Sequence, residues 1–178
     1  NGGFVSRLAR GKAGAAQLGH PTSSGGAGRD WANAVTGEAR GVGTVAGLPT
    51  PSDFPTTVTA HDTTHNGGND VFVGRLDPSQ VGTAQLVYST FLGGKGDDEP
   101  RAVSINGGVT TVAGWTSSDK FPTTPGAYDE IHNGGDDVFV TQLYMGPPPP
   151  THAATWADLQ PANAPAPRER AAMAGDAN

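Results

Sequence analysis

The chain has no cysteine, so it holds neither disulfides nor thiolate metal sites, and cysteine usage says nothing about redox compartment. No apolar run approaches the ~18 residues that a membrane helix needs, which argues against membrane insertion by a helix. No segment has the layout of a secretory signal. The chain opens inside a repeat and reads as a piece of a longer protein, so that missing signal does not bear on secretion. An excess of positive charge is also lacking. Eleven Lys and Arg stand against 17 Asp and Glu, a net charge of −6, which leaves no basic footprint for nucleic acid or an anionic membrane. What the sequence has in quantity is Gly (27) and Pro (15) among 178 residues. That share borders on low complexity, but the residues recur at fixed offsets, which indicates turns between short strands rather than disorder.

The repeat is explicit. Residues 66–76 read NGGNDVFVGRL and residues 133–143 read NGGDDVFVTQL, 67 positions apart. Phe54-Pro55-Thr56-Thr57 returns as Phe121-Pro122-Thr123-Thr124, and Val45-Ala46-Gly47 as Val112-Ala113-Gly114, at the same offset. A worn third copy opens the chain: Phe4 and Leu8 match Phe72 and Leu76, Gln17-Leu18 match Gln85-Leu86, Gly25-Gly26 match Gly93-Gly94, and Ala34-Val35 match Ala102-Val103, all 68 apart. One extra residue therefore lies between Val35 and Val45. Repeats at such a period signal stacked or radially arranged units.

Within one period the pattern predicts four short strands, at 101–105, 109–115, 71–76 and 84–91, each rich in β-branched or aromatic residues and bounded by Gly, Pro, Asn and Asp. Asn106-Gly107-Gly108 is expected to close a tight hairpin whose Asn and Gly supply positive φ. Asp77-Pro78-Ser79 opens another turn. Four antiparallel strands per repeat is the plan of a propeller blade. A β-solenoid would have shorter coils, and a chain of sandwich domains would need about 100 residues apiece. The fold class expected is all-β: a partial β-propeller of four-stranded antiparallel blades, about two blades plus part of a third, with a disordered Pro/Ala-rich C-terminal tail.

The strings YSTFLGGKGDD (88–98), AGWTSSDKFPTTPGAY (113–128) and GGDDVFVTQL (134–143) resemble the bacterial seven-bladed β-propeller (SBBP) repeat family, over roughly residues 1–144. The resemblance implies a secreted or cell-surface protein in which the repeat serves as a scaffold or interaction surface, with no catalytic residue to carry over. It also orders the strands, with 101–105 innermost and 84–91 outermost. On that plan 1–30 is the degenerate outer half of a blade, 31–92 a complete blade and 93–144 an incomplete one, with further blades of the same chain expected. Residues 145–178, which open with Gly146 and four prolines, read as a linker or disordered tail. The sequence departs from the pattern at Gly19-His20-Pro21, where Val87-Tyr88-Ser89 stands later.

Two loops of each unit should emerge on one face. One spans 116–135 with Phe121, Tyr128, Glu130 and His132. The other spans 93–100 with Lys95, Asp97, Asp98 and Glu99. Loops over a rigid scaffold carry function, so Asp97, Asp98, Glu99, Phe121, Tyr128 and His132 are the binding candidates, for an unidentified protein or glycan ligand. The pairs Asp97-Asp98 and Asp136-Asp137 have the hard oxygens calcium needs. No Asp-x-Asp-x-Asp-Gly loop accompanies them, so Asp70 and Asp137 are read as caps of backbone N–H groups before a strand, and no cofactor is expected. His65 and His132 are repeat-equivalent, unlike a catalytic or zinc histidine. Ser117-x-x-Lys120 lacks the companion motifs of an acyl-enzyme, and Gly25-Gly26 and Gly93-Gly94 lack the Lys-Ser/Thr of a phosphate loop. Phe54 and Phe121 read as anchors of the long loop. The function expected is a non-catalytic binding scaffold. The alternatives are a fragment of a glycan-active propeller enzyme, for which Asp98-Glu99-Pro100-Arg101 is the nearest candidate, and a structural spacer.

Overall fold

Short runs of β-branched and aromatic residues between Gly- and Asp-rich turns fold as antiparallel strands in the computed structural model, which describes residues 3–5, 12, 22–50 and 53–145. The tail at 146–178 lies outside the described residues, as do Gly19, His20 and Pro21. A two-stranded pair joins β1 (Gly3–Val5) to β2 (Thr22–Ser24). A four-stranded sheet follows in the order β3 (Arg29–Gly37), β4 (Gly43–Thr50), β5 (Val71–Leu76), β6 (Leu86–Leu92). A three-stranded sheet comes last, β7 (Asp98–Asn106), β8 (Val109–Thr116), β9 (Asp137–Tyr144). The architecture is all-β, and among the described residues neither sheet closes on itself.

Two strand limits differ by more than one residue from the sequence reading. The fourth strand begins at Leu86, because Val81-Gly82 bends the chain with Gly82 at φ 61° and residues 82–85 coil as a short 3₁₀ turn. The first strand of the last unit begins at Asp98 rather than Arg101. Proline normally stops a strand, but Pro100 sits at a β-bulge, where the register to β8 slips between Pro100 and Ala102.

The sheets repeat one another in detail. The bulge at Ala32/Ala34 in β3 is that at Pro100/Ala102 in β7. Opposite each lies a glycine, Gly47 or Gly114, where a Cβ would overlap the Trp31 or Glu99 carbonyl oxygen and press on the Phe72 or Phe139 ring. Phe72 stacks on Phe54 (centroids 4.2 Å, 27°) as Phe139 does on Phe121 (4.6 Å, 25°); both Phe72 and Phe139 are 5 % exposed. The extra residue that shifts the period from 68 to 67 is in the hairpin tip. Gly107 and Gly108, both at positive φ, turn β7 into β8, whereas Ala39, Arg40 and Gly41 turn β3 into β4 with Arg40 at φ 63°. The left-handed residues of the tighter hairpin are the two glycines, and Asn106 ends its strand.

The two large sheets pack face to face. One apolar cluster takes Ala46, Val71, Val73, Tyr88 and Leu92 from the first sheet and Val112, Phe139 and Leu143 from the second, with β7 lying against β3 and β4. On the other face of the first sheet, Val45, Phe72 and Phe91 are covered by Phe54 of the long loop 53–70. That loop also closes the outer edge of β6: Thr57 N–H donates to the Ser89 carbonyl (3.0 Å) and Phe91 N–H to the Asp62 carbonyl (2.9 Å).

Candidate functional site

The loops expected to share a face do meet. The 93–97 turn lies between the long loop of the first sheet and the start of the 117–136 loop of the second. Gly68 N–H reaches the Lys95 and Gly96 carbonyls (3.3 and 3.2 Å), and Ser117 N–H donates to the Asp97 carbonyl (2.8 Å). Gly96 N–H donates to Ser118 Oγ (2.9 Å). Asp97, exposed, accepts from Asn69 N–H and Asn69 Nδ2 (both 2.9 Å). It stitches two loops together.

The candidates have unlike surroundings. Asp98, the first residue of β7, is fully buried, whereas Asp97 just before the strand is exposed. Phe121 is half-buried in its stack on Phe139. His132 Nδ1 lies 3.3 Å from the Asp119 carboxylate and Nε2 3.0 Å from the Gly135 carbonyl oxygen. Glu130 accepts from Gly126 N–H (2.6 Å). Tyr128 stands in solvent. Its repeat-equivalent, His61, is held by a hydrogen bond from its N–H to Tyr88 Oη (3.1 Å), and the last sheet has no fourth strand among the described residues to supply such a partner. Asp136 is exposed, and Asp137 accepts from Asn133 N–H (2.6 Å) as Asp70 does from Asn66 N–H (2.5 Å). Asp129 accepts from Ile131 N–H and Asn133 Nδ2 (both 2.9 Å), and those bonds hold its carboxyl below the usual range. Among the described residues no three His, Asp or Glu side chains converge as metal ligands would.

Glu99 belongs to a different place. Between β3 and β7 runs a groove of about 530 Å³ lined by Trp31, Ala32, Asn33, Leu48, Glu99, Pro100 and Arg101. The paired bulges open it, since each turns out a residue, Asn33 or Arg101, from its ladder. Glu99 Oε1 accepts from Asn33 Nδ2 (3.1 Å) and lies 3.2 Å from Arg101 Nη1. Trp31 forms the apolar wall and remains 50 % exposed, an unusual state for so large an apolar side chain. Sequence reasoning reached Glu99 and Arg101 but missed Trp31 and Asn33. The available signal was divergence: Trp31 is the repeat-equivalent of Glu99 and Asn33 of Arg101, while Asp30, Ala34, Val35 and Gly47 return as Asp98, Ala102, Val103 and Gly114.

The chain matches no family model, no curated protein and no solved structure. What the fold defines is an all-β chain of repeated antiparallel sheets. The groove between their first strands brings together residues that differ between the repeats.

Proposed function

We propose that the repeated sheets are blades of a β-propeller similar to the SBBP repeat, part of an extracellular or cell-surface protein, and that the chain is a non-catalytic binding module whose groove seats a glycan against Trp31. One observation carries this reading: a half-exposed indole stands in the groove beside three planar polar side chains, those of Asn33, Glu99 and Arg101. An indole face offers a flat apolar platform to the C–H face of a sugar ring. Asn33, Glu99 and Arg101 offer donors and acceptors to hydroxyl groups around it. Hydrolysis by a carboxylate pair would need a second acid 5–10 Å away, by the usual geometry of about that range; among the described lining residues Glu99 is the only carboxylate.

A glycan array followed by calorimetry tests the proposal. Trp31→Ala is expected to weaken the best-bound glycan at least about thirtyfold, as loss of an aromatic hot spot does. Tyr128→Ala should leave binding unchanged. Absence of any bound glycan, or unaltered affinity in Trp31→Ala, would refute the glycan assignment. A protein contact at the tip of the last loop is the second reading, carried by the exposed Tyr128 and Ile131. It would instead show Tyr128→Ala as the sensitive variant.

A further inference from the structure

Two buried aspartates meet where the sheets join. Asp70 directly precedes β5 and Asp98 opens β7; both are 0 % exposed. Asp70 Oδ2 accepts from Asn66 N–H (2.5 Å). Asp98 Oδ2 accepts from Gly94 N–H and Ser118 Oγ (both 2.8 Å). The second oxygen of each, Oδ1, is buried with no hydrogen-bond partner. Gly93 lies between the two carboxyl groups: a Cβ there would come within 2.6 Å of Asp98 Oδ2 and 2.8 Å of Asp70 Oδ1, so a glycine is what lets them crowd together.

No Lys or Arg forms an ion pair with either group among the described residues. The titratable groups that face Asp70 are Asp98 from β7 and His65 and Asp62 from the loop before β5. Two ionised carboxylates in one dry site are costly, and a single proton removes most of that cost by turning one into a donor. Among the described residues the pairing arises only at this junction. Asp137, the equivalent of Asp70, is half-buried with no sheet beyond it among the described residues, and the equivalent of Asp70 beside Asp30 is Gly2.

We infer that Asp70 holds a proton on Oδ1 in the folded protein where it crowds against Asp98, and that this proton steadies the junction of adjacent repeat sheets so that the junction is strengthened by acid. Burial pushes the Asp70 carboxyl upward; the Asn66 N–H and His65 draw it back, and the charges of Asp98 and Asp62 raise it further. An acid whose folded pKa is raised contributes stability that is full below its unfolded value, about 4, and is lost as pH climbs through the folded value.

Thermal unfolding of the full chain and of Asp70→Asn, from about pH 5 to about pH 8, reads this directly. Asparagine keeps the shape and a donor without a charge. The wild-type midpoint should fall with rising pH relative to the variant, and at about pH 8 the variant should melt higher by roughly 5 °C. In the wild type, the Asp70 side-chain carboxyl ¹³C resonance should titrate above the ordinary aspartate value of about 4. Parallel midpoints with no gain in Asp70→Asn would overturn the inference. So would an Asp70 resonance already ionised at about pH 5, which decides the matter even if the variant fails to fold. Calcium that raises the wild-type midpoint but not the variant's would also overturn it, by placing an ion where the proton is assigned.

Discussion

At the scale of single residues, the glycines opposite the bulges set the tightest constraint. Gly114 faces the Glu99 carbonyl on one side and the Phe139 ring on the other. A methyl group there has no soft neighbour to displace, because the first is backbone and the second is stacked on Phe121. Gly114→Ala should cost about 3 kcal/mol or somewhat more, as overpacking a filled core does, measured by denaturant unfolding. Gly47→Ala should behave alike. The two carboxylates of Asp97-Asp98 teach the complementary lesson. Side by side in sequence, they looked like one acidic surface feature. The structure sends one across a loop junction and the other into the interior, and only knowledge that the strand begins at Asp98 would have separated them.

At the scale of elements, β9 shows what a neighbouring unit does. Val71 and Val73 in β5 are 0 % exposed, beneath the second sheet; their equivalents Val138 and Val140 are 82 % and 69 % exposed. The same sequence pattern is therefore core in one sheet and surface in the next. β9 is also the outer strand of its sheet among the described residues, and an open apolar edge invites self-pairing. Val140→Lys should leave the unfolding midpoint nearly unchanged and lower the association seen by sedimentation velocity; a large loss of stability would mean that the face is already covered. Much of this scale was legible beforehand. Hairpins and the long loop's Phe anchors follow from local pattern, whereas the order of strands within a period was implied only by the resemblance to a known repeat. The early start of β7 was not legible, because Pro100 reads as a breaker unless the bulge is known. The groove was not legible either, because β3 and β7 are brought together by sheet packing rather than by proximity in the chain.

At the scale of the whole molecule, repetition explains both order and exception. In the two large sheets the sixty-odd-residue period places Phe54 on Phe72 and Phe121 on Phe139, sets an aspartate at the start of the third strand, and puts a bulge in the first strand. Where the two first strands differ, at Trp31/Glu99 and Asn33/Arg101, the differing residues line the groove. Everything functional proposed for the chain depends on that equivalence being real in solution. Nuclear Overhauser contacts between specifically labelled phenylalanine rings measure it. Cross-peaks should link Phe54 with Phe72 and Phe121 with Phe139, and none should link Phe54 with Phe139. Missing within-repeat contacts, or a Phe54–Phe139 contact in their place, would contradict it.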